Sequence, residues 1–394
     1  MPKIRLILLL LSFLCISEST LWSQTIVFVE KYYPDSTLME KYQVKIFSND
    51  SIKQGAYSFY YQGGRVMQEG FFIDDKPDST WMNYYRSGAR KSLFNYKYGQ
   101  KTGSFNVWNE MGNLYQTGSY KNNLLEGILV TYHPNGQIDS ESNYSKGMLN
   151  GLSRVYTAEG VKLLEANYVN DTLNGSWESF HQNGVADYKG KKVNGKFEGI
   201  VYSYYENGTL RREAYYMNGL ITGTVKGFYN SGQLMNVSNY INGALEGEYI
   251  EYYPTGQVAE KGQYINDQRN GEWISFYPDG NVNSQGKFLN GKLHGEWVVF
   301  YPTGKMKQIG SYLEGNPSGR WCYFNENENL VLSGNYVEGK LEDFCTVFYP
   351  SGSIAARIFF RGGEQYGPAW IHSEDGTIDK RFKIENLPEI LKRE

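Results

Sequence analysis

The sequence is poor in the residues that most often build reactive sites. It contains 3 cysteines, 4 histidines and 11 prolines in 394 residues. Three cysteines cannot make a framework of several disulfides, and the prolines form no linker that would divide the chain. The net charge is −3 and no run of lysine or arginine stands out. This pattern predicts no nucleic-acid partner, and it does not indicate a membrane surface, although that alternative stays open.

Long hydrophobic runs are also lacking, except near the N-terminus. Lys3 and Arg5 precede eleven residues, 6–16, that are apolar apart from Ser12. A membrane-spanning helix needs about 20 residues, so we predict that residues 1–23 are a cleaved signal peptide. The protein is then exported to the periplasm, the outer envelope or the extracellular space. Acylation of Cys15 is a weaker alternative, because the bulky Leu14 precedes it.

The two other cysteines give little information about the redox environment. Cys322 and Cys345 lie in neighbouring repeats, one slot out of register. Residues one position apart on a strand face opposite sides of a sheet. Two buried free thiols are therefore expected, while a bond between them stays an open alternative.

Glycine and tyrosine are abundant, with 44 and 35 residues, and they recur at a fixed step of 24 residues. Glu328 alone interrupts the glycine series, and a degenerate unit ending at Ser36 lies four residues out of step upstream. We predict that these glycines form turns: Gly64, Gly88, Gly112, Gly136, Gly160, Gly184, Gly208, Gly232, Gly256, Gly280, Gly304, Gly352 and Gly376.

One repeat is expected to read strand, tight turn, strand, looser turn. In Tyr277-Pro278-Asp279-Gly280, proline presets φ and glycine accepts positive φ, as a type I turn with a left-handed last residue requires. Two, six and eight places after the glycine stand an apolar, a small and an aromatic residue, whose equal parity predicts one common face. The incoming strand has a tryptophan slot and an aromatic slot three places later, so either both faces are covered or a bulge intervenes. The predicted aromatic ladder is Tyr120, Tyr144, Tyr168, Tyr216, Tyr240, Tyr264, Phe288, Tyr312 and Tyr336.

Hairpins joined by short turns predict an all-β fold, an elongated antiparallel meander or solenoid of about 14–15 tandem repeats. After the signal peptide we expect a degenerate repeat or cap at residues 24–52 and a continuous array at 53–376. Residues 377–394 would form a C-terminal cap, with a short helix starting at Pro388.

The phrase Gly-x-Tyr, Asn-Gly and Gly-x-Trp-x-x-Phe-Tyr-x-x-Gly, seen from Gly286 to Gly304, resembles the MORN (membrane occupation and recognition nexus) repeat. It is most similar to the bacterial 24-residue variant, over about residues 30 to 376. The resemblance implies an antiparallel β scaffold for protein interaction or lipid association, and the variant family is often labelled as an antitoxin. The sequence departs from the pattern at four positions, where the local geometry is expected to differ. They are Phe94, Lys192, Glu328 and Ile358.

No catalytic, cofactor or metal site is predicted, and neither is a small-molecule substrate. His133 and His181 occupy slots that hold tyrosine in other repeats, His372 takes an aromatic slot, and His294 precedes a turn glycine. A catalytic triad or a metal site requires side chains that converge from distinct positions. The carboxylates near the turns are expected to form a solvated face.

The sequence therefore predicts an exported, non-enzymatic scaffold that binds a protein partner of unknown identity. One alternative is an antitoxin that neutralises a cognate toxin by direct binding, although an export signal fits a cytoplasmic antitoxin poorly. Another is recognition of glycans or lipid head groups by exposed aromatic rows.

Overall fold

The chain folds as an antiparallel β meander, as the sequence predicts. The computed structural model describes residues 4–8, 26–47 and 50–382, and every regular element among them is a strand. No helix that could cross a membrane occurs in these ranges. Contacts divide the chain into two units, Met1–Lys196 and Phe197–Glu394. The 24-residue sequence step continues through this division, from Gly184 to Gly208.

The strands of the first unit run in chain order, and the last of them contains the division. They are β1 Ile4–Leu8, β2 Ile26–Tyr32, β3 Leu38–Ile46, β4 Ser51–Tyr60, β5 Val66–Ile73, β6 Lys76–Tyr84, β7 Arg90–Lys97, β8 Gln100–Lys101, β9 Gly103–Trp108, β10 Leu114–Lys121, β11 Leu124–Leu125, β12 Gly127–Tyr132, β13 Ile138–Ser145, β14 Met148–Tyr156, β15 Lys162–Val169, β16 Thr172–Phe180, β17 Ala186–Val193 and β18 Lys196–Phe197.

The second unit continues the same pattern of paired strands. Its strands are β19 Gly199–Tyr204, β20 Leu210–Met217, β21 Leu220–Ile221, β22 Gly223–Phe228, β23 Leu234–Ile241, β24 Ala244–Tyr252, β25 Val258–Ile265, β26 Gln268–Phe276, β27 Val282–Leu289, β28 Lys292–Phe300, β29 Met306–Leu313, β30 Asn316–Phe324, β31 Leu330–Val337, β32 Lys340–Phe348, β33 Ile354–Arg361, β34 Glu364–Gln365, β35 Ala369–His372 and β36 Ile378–Phe382.

The two ends of the chain are described only in part. Most of the predicted signal peptide lies outside the described residues, and its residues 4–8 form β1, which pairs antiparallel with β2. The degenerate unit at Tyr33 to Ser36 folds like the other repeats, with Ser36 N–H donating to the Tyr33 carbonyl at 2.9 Å. At the other end β36 pairs with β35, while the predicted helix at Pro388 lies outside the described residues.

The first turn of each repeat has the geometry that its sequence predicts. Gly256 N–H donates to the Tyr253 carbonyl at 2.8 Å, and Tyr253 N–H donates to the Gln257 carbonyl at 2.8 Å. All thirteen predicted turn glycines have φ between 82° and 93°, a region that favours glycine. Glu328, the exception in sequence, makes the same turn with φ 67° and donates its N–H to Asn325.

The second turn is tighter than expected, so the prediction of a looser turn was wrong. Leu289 pairs with Lys292 across only two residues, Asn290 and Gly291, whose φ values are 50° and 79°. Two successive residues with positive φ define the type I′ turn, which asparagine followed by glycine favours. Its right-handed twist matches that of the flanking strands, which explains its recurrence.

Bulges separate the slots within each hairpin. Ser275 pairs with Ser284 and Phe276 pairs with Val282, so Asn283 is the extra residue of a bulge on the strand that follows the first turn. No extra residue lies between Trp273 and Phe276, so the tryptophan slot and the later aromatic slot face opposite sides of the sheet, and both faces are partly covered. Parity therefore places the sixth and eighth positions, Gly286 and Phe288, on one face but does not extend across the bulge to the second position.

The largest fully buried side chains are tryptophans that lie against small residues of the preceding strand. Trp273 and Trp321 are each 2% exposed. A Cβ atom built on Gly262 would lie 2.2 Å from Trp273 Cδ2, and one built on Gly310 would lie 2.0 Å from Trp321 Cδ2. Neither glycine has positive φ, so at this slot glycine is required by the close approach of the indole ring.

We therefore expect Gly262→Ala to reduce the free energy of unfolding by about 1–3 kcal/mol, because the added methyl group overpacks the contact with Trp273. Chemical denaturation followed by tryptophan fluorescence measures the change. Ser238→Ala is the matched control, since Ser238 occupies the same slot opposite Tyr249. A loss for Gly262→Ala no larger than that of the control would contradict this account of the glycine.

Candidate interaction surface

The predicted aromatic ladder lies on the tryptophan face, where its rings contact one another edge to face. Tyr264 and Trp273 have ring centroids 5.2 Å apart at 89°, and Phe288 and Trp297 are 5.8 Å apart at 89°. Tyr312 lies 5.0 Å from Trp321 at 83°. Edge-to-face pairs each add about 0.5–1.5 kcal/mol beyond the burial of their area, so the ladder stabilises neighbouring repeats.

Some ladder positions pack without another ring. Within the described ranges, Tyr144, Tyr168 and Tyr240 make no ring-to-ring contact. Each instead pairs across strands with a leucine, and Tyr240 pairs with Leu245. This leucine column was not predicted from the sequence, although it recurs at the same 24-residue step. In each unit the predicted ladder residues are half-buried side chains on equivalent strands.

Two departures from the repeat pattern are compensated by their cross-strand neighbours. Phe94 replaces a small residue, and its ring stacks on Phe105 at 5.3 Å and 16°. Ile358 also replaces a small residue and is 1% exposed, and the buried Ala369 packs in the same cluster. A large residue is thus accepted in one slot when the facing side chain is small or can stack on it. The repeats therefore keep a close contact between facing side chains, while the identity of each residue varies.

Cations replace apolar residues at several places on the same face. Lys192 occupies an aromatic ladder slot, and its ammonium group lies 4.9 Å from the centre of the Trp177 ring. The Arg269 guanidinium lies 4.0 Å from the centre of Trp273, and Lys101 Nζ lies 4.3 Å from that of Phe94. Contacts between a cation and a ring face contribute about 0.5–1 kcal/mol at exposed sites.

Nine tyrosines in one slot each join their repeat to the next. The hydroxyl group of Tyr253 donates to the Phe276 carbonyl at 2.7 Å, a step of 23 residues. The accepting carbonyl lies at the bulge, where the ladder of strand hydrogen bonds is interrupted. The other donors of this tyrosine row are Tyr33, Tyr61, Tyr85, Tyr205, Tyr229, Tyr277, Tyr301 and Tyr349.

His133 performs the same structural task as these tyrosines. Its Nε2 atom lies 3.0 Å from the Tyr156 carbonyl, and since a carbonyl only accepts, Nε2 carries the proton. The sequence showed that His133 stands in a tyrosine slot, but it did not show the bond between repeats. The fixed step of the slot was the signal that could have revealed it.

Side chains also join the second turns of neighbouring repeats. Asp267 stands where most repeats have the turn glycine, with φ 63°, and its Oδ1 accepts from Leu245 N–H at 2.7 Å. Glu246 Oε2 accepts from the N–H of Asn266 at 2.9 Å. Carboxylates in these positions therefore hold turns in register, a role that the expectation of a merely solvated face did not include.

One pair of carboxylates is placed face to face. Glu251 and Glu260 are cross-strand partners, and Tyr249 donates to Glu251 Oε2 at 3.1 Å. Burial raises the pKa of Glu260, and the negative charge of Glu251 adds to this effect, while the Arg269 guanidinium opposes it. Arg269 Nη2 lies 2.5 Å from Glu260 Oε1, so the arginine offsets the repulsion between the two acids.

The described residues contain no group of three or more potential metal ligands. The four histidines lie in separate repeats. Among the described residues, buried nitrogen atoms of His294 and His372 have no hydrogen-bond partner. Cys322 and Cys345 are free thiols, the first half-buried and the second buried.

Apolar side chains are exposed in a regular series in the second unit. The residue before the second turn is aliphatic in six consecutive repeats, with exposed fractions of 45–58%. This aliphatic stripe consists of Met217, Ile241, Ile265, Leu289, Leu313 and Val337. In the first unit the same slot is mixed and includes Lys97, Lys121 and Ser145. An extended apolar series of this kind indicates an interaction surface.

We expect Tyr253→Phe to reduce the free energy of unfolding by about 1–2 kcal/mol, because it removes a hydrogen bond and leaves the Phe276 carbonyl without its donor. Denaturation curves measure the loss. The adjacent Tyr252→Phe is the matched control, since the Tyr252 hydroxyl donates to no protein group in the described part of the chain. Equal effects of the two substitutions would show that the tyrosine row does not stabilise the array.

The two thiols should differ in reactivity. Burial raises the pKa of Cys345 to about 12, so almost none of it is thiolate at pH 8, and the thiolate is the reactive form. In the native protein we expect a disulfide reagent to modify Cys345 at least about 100-fold more slowly than Cys322. The single variants Cys322→Ser and Cys345→Ser identify each signal, and labelling in urea is the control. Equal native rates would contradict the burial of Cys345.

Comparison with known protein families matches part of the array to a family of sequence repeats. The model described as MORN repeat variant matches six segments, which share the 24-residue spacing of the turns. They are residues 125–146, 197–218, 221–242, 245–266, 269–290 and 293–314. No curated protein matches the chain.

Solved structures give only distant similarity. The TcdB2-TccC3 structure aligns at 12% identity with a TM-score of 0.16, over 93% of this chain and 22% of the other. The TcdB2-TccC3-Cdc42 structure aligns at 9% identity with a TM-score of 0.12, over 90% and 27%. The chain thus spans about a quarter or less of these proteins, and neither similarity supports an argument about function. The family match, together with the repeating hairpin geometry, identifies these six segments of the chain as MORN repeats of the variant type.

Proposed function

We propose that this protein is an exported, non-catalytic repeat scaffold whose exposed apolar side chains bind a protein partner. The observation that carries this proposal is the contrast between two sets of side chains. Many tyrosines, acids and amides hydrogen-bond to neighbouring repeats, whereas large apolar side chains are repeatedly exposed. Burying such side chains in an interface is favourable by about 25 cal/mol per Å².

The exposed positions that support partner binding lie outside the aliphatic stripe. Ile200 and Tyr215 are cross-strand partners, 47% and 43% exposed, and Ile128 occupies the slot of Ile200 in an earlier repeat with 57% exposed. Aromatic and aliphatic residues side by side are typical of the central part of protein interfaces. Other repeats carry an acid in this slot, such as Glu272, so the apolar positions are local rather than a property of every repeat.

A protein partner fits these features better than a glycan. Binding a sugar ring by stacking requires an accessible flat aromatic face, but the ladder rings are half-buried and contact one another or a leucine. The exposed apolar positions are largely aliphatic, and aliphatic side chains pack against other side chains. Export is inferred from the signal-like residues 1–23, and it favours a partner in the cell envelope.

The test is photo-crosslinking in intact cells. A photoreactive amino acid at Ile200 or Ile128 should give a discrete adduct with another protein in envelope fractions. The same probe at Glu272, in the equivalent slot of another repeat, is the matched control and should give none. Sequencing the N-terminus of the purified protein tests cleavage after Ser23. Absence of any adduct at both positions, in a chain shown to be exported, would rule out this function.

A further inference from the structure

The aliphatic stripe is the longest uninterrupted series of exposed apolar residues in the second unit. Its six members occupy one slot in six consecutive repeats, and the series ends where the next repeat has Arg361. Each member pairs across the second turn with a residue that begins the following strand, as Leu289 pairs with Lys292. These following residues are Leu220, Ala244, Gln268, Lys292, Asn316 and Lys340.

We propose that the stripe is a surface for self-association, through which two copies of this chain pair antiparallel about a two-fold axis. Strands in a sheet lie about 4.8 Å apart, so the side chains of the stripe recur about every 10 Å. A partner that contacts every member needs apolar groups at the same spacing, and a second copy of the stripe supplies them.

Two-fold symmetry selects one register in which aliphatic residues meet only aliphatic residues. When the axis passes at Gln268, Ile265 of one copy faces Leu289 of the second copy. The same two-fold axis places Ile241 of one copy opposite Leu313 of the second copy, and Met217 opposite Val337. An isologous interface of this kind uses the same patch on both copies and closes at the dimer.

The residues between the aliphatic positions are compatible with this register. Gln268 is exposed and would meet its own copy at the axis, where two amide groups can hydrogen-bond to each other. Lys292 faces Ala244 of the second copy, and Asn316 faces Leu220. From Leu220 to Asn316 no pair of like charges is brought together, and Lys292 meets an apolar residue.

The area is sufficient for a weak dimer. Six aliphatic side chains that are about half exposed offer on the order of 500 Å² per copy, and two copies together would bury about 1,000 Å². This is near the lower limit for specific protein interfaces. Because strands in a sheet twist relative to one another, the closest contact is expected in the central repeats, near Gln268.

This inference is independent of the proposed partner binding, which uses Ile200, Tyr215 and Ile128. The first test is sedimentation equilibrium of the purified full chain at several concentrations. We expect a monomer–dimer equilibrium with a dissociation constant on the order of 10 µM. Leu289→Glu should weaken it at least about tenfold, because a charge is buried opposite Ile265. Val169→Glu is the matched control, since Val169 occupies the same slot in the first unit at 45% exposed, and it should leave the constant unchanged.

A cysteine scan tests the register directly and does not depend on a destabilising variant. In a Cys322→Ser background, Gln268→Cys should form an intermolecular disulfide under mild oxidation. Lys292→Cys should not crosslink to itself but should crosslink when mixed with Ala244→Cys. A chain that remains monomeric at 100 µM, or a dimer that Leu289→Glu and Val169→Glu affect equally, would overturn the proposal. Crosslinking of Lys292→Cys to itself, but not of Gln268→Cys, would overturn the antiparallel register.

Discussion

The structure depends on one constraint, that neighbouring hairpins stay in register with each other. A single hairpin buries little apolar surface and is at best marginally stable in water. The chain meets this limit with bonds that connect equivalent positions of successive repeats. The Tyr253 hydroxyl group reaches the Phe276 carbonyl, and the Asp267 carboxylate reaches the backbone of Leu245. One set of bonds starts at the first turn and the other at the second, so both ends of each hairpin are fixed.

Between these two sets of bonds, packing is regulated by the size of facing residues. Trp273 lies over Gly262, whereas Ile358 is accompanied by the small Ala369. The interior of a protein tolerates changes that conserve volume better than changes that alter it. This explains why the repeats differ so much in sequence while their turns and strands coincide. What recurs along the array is a close fit of facing residues, whether a large residue lies over a small one or two rings stack.

Much of the fold could be predicted from the sequence, because period and turn chemistry are local properties. The step of 24 residues located the first turn, and Pro278 with Gly280 indicated its type. The second turn was misjudged, since Asn290 and Gly291 were not interpreted as a type I′ pair. The bond made by Tyr253 could not be predicted, because its acceptor is a backbone carbonyl freed by a bulge, and residue types do not encode bulge positions. Exposure of Leu289 also depended on knowing which face it occupies.

The tyrosine row has a consequence for the history of such a chain. Except for the bond of Tyr33, which spans 27 residues, each bond runs from one residue to the carbonyl that lies 23 positions later. Insertion or removal of a whole repeat leaves every remaining donor opposite an equivalent acceptor. The bond from Tyr33 to Tyr60 shows that a longer connection between two repeats can also be accommodated. Unequal recombination within the gene would therefore yield a foldable product most directly in multiples of the repeat. The length of the array can in this way evolve in discrete increments without redesign of its interior.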